Sequence, residues 1–492
     1  MAHLSPQSHL TSAERDQGLR LVLWDGIASQ AMLTLSGGAF LVAFALQLGA
    51  SNAQIGLLSA IPTLANIFQL FSVGLVRRYA RRQIVVYACL FGRIMLFVIA
   101  AVPLFSLSSS VGVWVLLLST VVLQVNAAVA GGSWMAWMHD LIPRERLGRF
   151  FSYRMRRSQT VGIVLGLACA VGIDYAEQTS ADNSLNGYSV LFLLGGAAGL
   201  VSVGLLARTP EPKMLPNRRR FSEVLRQPFR SANFRALIIY NALWNFATNL
   251  AAPFFTVYLL QQLHYSVTYV IVLTTINQLT TVLALRFWGR YADRHGYKSI
   301  LSICAPVYLL GILGWTFATF PGPHSLTLPL LVGLHILMGA ASAGTSLSAS
   351  SIGLKLAPAG EGAGYLAVIS FTNALAAGAA PILGGTLADF FLRKQLALTL
   401  EWNSEQYQQV FRALDVQGWD FFFLLAFVLG MVALYRLAYV NEQGEVTDKT
   451  LVEEIVLDIQ REMRSLSTIT ALRAAINVPV SFYRKLARRA DR

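Results

Sequence analysis

Three amides recur at helical spacing inside an uncharged stretch. Asn241, Asn245 and Asn249 fall at i, i+4 and i+8, which places them on one face of a helix. Tyr240 and Trp244 flank them. An amide stripe edged by aromatic rings suits a ligand with hydroxyls or a mixed polar and apolar surface. Buried amides also glue helices to one another, and both roles stay open. Gln30, Gln124 and Asn126 are further amides inside apolar runs, and with Asn241, Trp244, Asn245 and Asn249 they form the set of candidate ligand contacts.

Three ionisable groups stand in similar surroundings: Asp25, Arg93 and His335. Arg93 is the only Lys or Arg well inside an apolar run, so it needs a counter-charge, water or an anionic ligand. Asp25 and Asp140 are the acids within plausible reach of it, and Asp25 also reads as an ordinary interfacial acid. Histidine titrates near neutral pH, which suits His335 to a proton relay; hydrogen-bonded packing is its plainer role. These three residues are the candidates for ion pairing or coupling. No Ser/His/Asp arrangement, metal-ligand cluster or phosphate loop stands out. The expectation is therefore a protein that is not an enzyme, with no metal and no cofactor.

The elements that position these residues follow from composition. The chain has 492 residues, 55% hydrophobic and 13% charged, against roughly 25% charged in soluble domains. Much of its surface must face lipid. A net charge of +14 suggests nucleic acid at first sight, but the basic residues sit in short segments between long apolar runs. That pattern sets orientation in a membrane, and no nucleic-acid partner is expected. Cys89, Cys169 and Cys304 lie scattered in apolar runs, which is not a disulfide framework. Residues 1–20 are polar, so the first apolar run is expected to insert the chain without a cleaved signal.

Apolar runs with charged breaks predict twelve helices, at about 26–48, 53–76, 83–105, 111–138, 158–175, 187–207, 236–261, 266–287, 299–320, 325–354, 362–388 and 418–439. The fifth is short and should begin inside the basic stretch before it. Even-to-odd loops carry Arg77, Arg78, Arg81, Arg82, Arg144, Arg146 and Arg218 to Arg220, whereas the opposite loops hold only Arg393, Lys394 and Arg412. That bias puts both termini in the cytoplasm, in a multi-pass protein of the inner (plasma) membrane. The organisation expected is an N-terminal tail over 1–21, a six-helix bundle over 22–207, a cytoplasmic linker over 208–235, a second bundle over 236–440 and a cytoplasmic amphipathic tail over 441–492. In the linker, Phe221, Val224 and Leu225 read as a short amphipathic helix or a solvated basic loop. In the tail, Leu451, Ile455, Ile459, Met463 and Leu466 keep helical spacing, and its basic end is expected to lie on anionic lipid or to dock a protein.

The two bundles are repeats. Ser51 to Gly74 has the spacing of Ser266 to Gly289, and Pro143 matches Pro358. Between two spans of the second copy stands Gly289-Arg-Tyr-Ala-Asp293-Arg294-His-Gly296-Tyr-Lys298. This segment resembles the signature loop of the major facilitator superfamily, which joins the second and third helices of each half. The resemblance covers roughly residues 22–440 and implies an all-α membrane protein of two pseudo-symmetric six-helix bundles. It implies that Gly289, Asp293, Arg294, Gly296 and Lys298 form a conformational latch on the cytoplasmic side, with Asp293 facing Arg154, Arg156 and Arg157. The first copy departs from the pattern, since Arg78 and Arg81 stand where the acid and the second glycine belong.

Other departures bear on function. The fifth helix lacks the proline of the drug-antiporter pattern, which occurs instead as Gly378-Ala-Ala-Pro381-Ile-Leu-Gly384-Gly385 in the eleventh, and the fourth has no arginine. Both argue against a standard drug–proton antiporter. By resemblance, helices 1, 4, 7 and 10 line a central cavity, and the chain is expected to be a monomeric secondary transporter of a small organic solute. It would work by alternating access, driven by a solute gradient or by protons. A lipid or amphiphile flippase and a drug efflux antiporter are rivals on the same fold; a non-transporting sensor or assembly factor is a rival of another class.

Overall fold

The computed structural model describes residues 11–76, 78–105, 108–143, 146–179, 181–213, 227–319, 326–358, 362–403 and 408–442. The amphipathic segment expected in the linker and the tail helix expected beyond 442 lie outside the described residues.

Twelve spans run back and forth. The first six are Ser12–Gln47, 52–76, Arg81–Phe105, Ser109–Leu141, Leu147–Thr179 and Ala181–Arg208; the second six are 232–262, Val267–His295, Tyr297–Ala318, Thr327–Leu356, Gly362–Phe391 and Gly418–Leu437. Among the described residues, ten helices are long and apolar enough to cross a membrane. Span 2 comprises Asn52–Ala65, with Pro62 inside it, a 3₁₀ turn at Asn66–Phe68, and Gln69–Val76. Span 7 is continuous over Ala232–Val257, with three asparagines on one stretch.

Local signals set the ends. Thr11 and Glu14 form a capping box at the start of span 1, and Ser51 and Gln54 form one at the start of span 2. Span 1 breaks at Gly37 and resumes at Gly38, whose φ of +56° favours glycine. Span 5 begins at Leu147, inside the basic stretch, as its short apolar run required.

The repeat is visible in the packing. Span 1 lies on 5 and 6 as span 7 lies on 11 and 12; span 3 lies on 4 and 6 as span 9 lies on 10 and 12; span 2 lies on 4 as span 8 lies on 10. Between halves, span 2 packs on 11 and span 5 on 8. Span 2 follows span 11 only over its first part, since its last helix, Gln69–Val76, packs on span 4 instead. The halves are thus pressed together at the face away from the termini.

At the termini face each half is closed on itself by one carboxylate. Glu211, just beyond span 6, accepts from the backbone amides of Arg81 and Arg82 at the start of span 3, at 2.9 and 3.1 Å, and from the Arg81 Nε at 3.1 Å. Glu442, just beyond span 12, accepts from the amides of Tyr297 and Lys298 at the start of span 9, at 3.1 and 2.6 Å, and pairs with the Lys355 Nζ at 2.6 Å. A carboxylate at a helix N-terminus meets unsatisfied amides and the positive end of the dipole. Both carboxylates are buried. Glu442→Gln should therefore lower the unfolding free energy by about 1.5–3 kcal/mol, the worth of hydrogen bonds to a charged group, which a thermal-denaturation series on purified protein would read.

One element was not expected. Between spans 11 and 12, β1 (Gln395–Asn403) and β2 (Gln408–Gln417) form an antiparallel hairpin with an irregular register step at Leu398/Thr399. Leu396, Leu398, Leu400 and Trp402 alternate with more polar residues, the period of a strand rather than a helix.

Candidate functional site

Span 1 buries an acid. Asp25 is 2% exposed, and every oxygen of its carboxylate is engaged. Its Oδ2 accepts from Arg154 Nη2 of span 5 at 3.1 Å; its Oδ1 accepts from Ser29 Oγ at 3.3 Å and from the hydroxyl of Ser202 in span 6. The two serine hydroxyls lie 2.9 Å apart. Arg154 also donates from Nε to the Val22 carbonyl at 3.1 Å, and its guanidinium lies 5.0 Å from the centre of the Trp134 ring in span 4. A planar guanidinium can hold a carboxylate on one edge and an aromatic ring on its face.

Arg93 completes the cluster from span 3. It donates from Nη1 to the Gly199 carbonyl at 2.6 Å and from Nη2 to Ser29 Oγ at 3.5 Å. Arg93 sits twelve positions beyond Arg81, at the start of the span, or roughly 18 Å along the axis, near the middle of a bilayer. Glycines make room for both cations: a Cβ on Gly26 would lie 2.5 Å from Arg154 Nε, and one on Gly199 would lie 3.0 Å from Arg93 Cδ.

A cavity of about 360 Å³ opens onto this cluster. Asp25, Ser29 and Arg154 form its polar wall with Arg93; Leu33, Cys89, Ala127, Gly131 and Trp134 supply an apolar one. Two arginines and one acid leave an excess of positive charge at the wall. The arrangement can receive a polar or partly anionic solute, or a proton on Asp25 that would release Arg154.

The other residues singled out from sequence are placed as follows. Asp140 does not reach Arg93; it pairs with Arg81 at the termini face. His335 lies in the second half, away from Asp25 and Arg93. Its Nδ1 is 2.8 Å from the Leu331 carbonyl and its ring packs on Trp315 at 5.5 Å. Asn245 and Asn249 are half-buried and donate to the carbonyls of Asn241 and Asn245, at 2.8 Å each. Asn241 is fully buried with no described hydrogen-bond partner for its side-chain amide, and Trp244 stacks on Tyr240 and meets Tyr308 at a tilt of 60°. The stripe is thus a helix face turned partly into the core. Asn126 donates to the Val122 carbonyl, Gln30 to Thr34, and Gln124 is half-buried.

In the signature loop, Gly296 has φ +86° and sits against the Glu442 carboxylate, so a side chain there would be strained and crowded. Among the described residues, nothing lies within 4 Å of a Cβ placed on Gly289. Lys298 contributes its backbone amide to Glu442, and Arg294 is exposed. The side chain of Asp293 lies outside the described residues, while Arg154, one of its expected partners, is bound to Asp25.

Sequence reasoning missed Arg154 as the partner of Asp25, and it missed Ser202 and Trp134. A signal existed for the first. Arg154, Ser158, Gly162 and Gly166 recur every four residues, a small-residue face that brings a helix close to its neighbour and carries the arginine inward with it.

The comparisons fit this architecture. Two solved structures match with TM-scores of 0.65 and 0.59: a single-residue mutant of the nucleoside transporter NupG, 14% identical, covering 87% of this chain and 100% of that one, and a D-xylose–proton symporter, 16% identical, covering 88% and 99%. A bacterial homologue of the iron transporter ferroportin in its inward-facing state matches with a TM-score of 0.58 at 16% identity, over 88% of this chain and all of that one. At such identities the likeness speaks for the fold. No curated protein matches the sequence. The family model described as Major Facilitator Superfamily matches residues 26–272 and again 237–483. With a duplicated match across nearly the whole length and twelve spans in two like-packed halves, the chain belongs to the major facilitator superfamily.

Proposed function

We propose that the protein is a secondary transporter that moves a small organic solute by alternating access, with both termini in the cytoplasm and the cavity at Asp25, Arg93 and Arg154 as its first-half binding wall. The observation that carries this reading is the buried charged cluster facing a cavity at mid-bilayer depth. Ionisable groups there are costly unless they serve a solute or ion path. The halves meet at the face away from the termini, which leaves the cavity reachable from the termini face, and the loop charge bias makes that face cytoplasmic. Asp25 is the group suited to carry a coupled proton, because protonation removes the charge that holds Arg154.

Nucleosides and sugars are the first solutes to test, since a serine hydroxyl, two arginines and the Trp134 ring line the same cavity. A thermal-shift screen of purified protein across such solutes, followed by uptake into proteoliposomes, tests the reading. The best ligand should raise the melting temperature of the parent and lose most of that shift in Arg93→Ala. Asn245→Ala should weaken the shift about 5- to 30-fold in apparent affinity if the stripe forms the opposite wall, the loss expected of one or two buried hydrogen bonds. An unchanged ligand response in Asn245→Ala would assign the stripe to helix packing.

A further inference from the structure

At the face away from the termini, the two halves hold one another through a pair of matched contacts. Asp389, near the end of span 11, accepts from the backbone amide of Ala53 at 3.0 Å and from the Asn52 side-chain amide at 2.9 Å, at the start of span 2. Asp174, near the end of span 5, accepts from the backbone amide of Thr268 at 3.2 Å, at the start of span 8. The spacing that separates Ser51 from Ser266 also separates Ala53 from Thr268 and Asp174 from Asp389. Each acid therefore meets the same amide of the repeat-related helix, two positions past the N-cap serine, and each contact crosses from one half to the other.

The contacts answer a need that the chain could meet locally. The first amides of a helix have no partner within it, and a serine at the N-cap usually supplies one. Ser51 does so for span 2 through Gln54, yet Asp389 still takes the Ala53 amide. Ser266 makes no side-chain capping bond, and span 8 is capped by Asp174 alone among the described contacts. A carboxylate at a helix N-terminus also gains from the dipole, an attraction that falls off within one turn. Such a contact is strong when the halves touch and vanishes when they part by a few ångströms.

We propose that Asp174 and Asp389 are the two arms of one gate, which closes the face away from the termini by capping spans 8 and 2 across the interface between halves. The proposal rests on the alternating-access reading above. The gate is two-fold symmetric in its acids and asymmetric in its backing. Behind Asp389, spans 2 and 11 touch backbone to backbone, whereas behind Asp174 the repeat-related position pairs Gly166 with the Ile271 side chain, 3.9 Å from a Cβ placed there. Span 5 should therefore leave span 8 before span 11 leaves span 2.

The test uses the full chain with Cys89, Cys169 and Cys304 changed to Ser and Leu33→Cys placed in the cavity. A membrane-impermeant maleimide is applied to each face of vesicles, with an N-terminal tag marking the termini face. The parent should label faster from the termini face. Asp174→Ala with Asp389→Ala should raise labelling from the other face about tenfold, as expected when two dipole-capping charges are lost, and slow it from the termini face. Asp→Asn at both positions keeps an acceptor and should fall between. If the double alanine variant does not fold, Asp389→Asn alone decides by the same ratio. Unchanged labelling ratios in folded variants would overturn the gate while leaving alternating access in place. Equal labelling of the parent from both faces would overturn the gate together with the reading beneath it.

Discussion

Asp25→Ala should abolish solute uptake and destabilise the protein, and Arg154→Ala added to it should restore stability without restoring uptake. Removing one partner of a buried ion pair leaves the other charged and unmatched, at a cost of about 3–5 kcal/mol. Arg154 would lose its contact at 3.1 Å, and Ser29 and Ser202 would lose their shared acceptor. Taking out both charges removes the unmatched cation, so the melting temperature should recover most of its loss. Uptake should stay near background, because the cavity wall has then lost its only described acid. The contrast between the two readouts separates a functional cluster from a structural one. Uptake that survives in the double variant would show that the pair only holds spans 1, 5 and 6 together.

Gly56→Leu should trap the transporter with its halves parted at the face away from the termini. A Cβ at Gly56 would lie 2.1 Å from the Pro381 carbonyl oxygen, and one at Gly385 would lie 2.3 Å from the Asn52 carbonyl oxygen. Both obstacles are backbone, so no rotamer change relieves them. Overpacking of a tight interface costs about 1–3 kcal/mol, which is roughly a 5- to 150-fold shift in the ratio of closed to open forms. Uptake should fall accordingly, and distances between spin labels on spans 2 and 11 should lengthen at that face alone. Gly166→Ala, at the looser repeat-related contact, should shift the same distances far less. A Gly56→Leu protein with parental label distances would show that the interface yields more easily than its backbone contacts suggest.

Much of the architecture was legible because helices in lipid are a local matter. Each span must satisfy its own backbone and show an apolar surface, so twelve runs, their loops and the repeat could be read residue by residue. The early start of span 5 followed from its short apolar run for the same reason. Where polarity serves packing rather than solvent, the local reading is less sharp. The three asparagines of span 7 fit a ligand-facing stripe or helix glue by spacing alone; the fold buries Asn241 and Trp244 and leaves Asn245 and Asn249 half-buried. The hairpin between spans 11 and 12 gives no helical period, and its only local signal is the short alternation from Leu396 to Trp402.

The sequence by itself determined the class of fold, the number of spans and the duplication, since these rest on composition and on spacing along the chain, and the resemblance of Gly289 to Lys298 to a known signature loop pointed to the family. It also picked Arg93 as a group that needs a partner, and Asp25 as one candidate for it. Only the tertiary structure decided who the partners are. Asp25 meets Arg154 from far along the chain, Asp140 goes to Arg81 instead of Arg93, and Asp174 and Asp389 cap helices of the opposite half. Charge attraction does not specify a pairing among a dozen helices. Which side chains meet depends on how each helix is rotated and which neighbour it touches, and those are fixed by the packing of all the spans together.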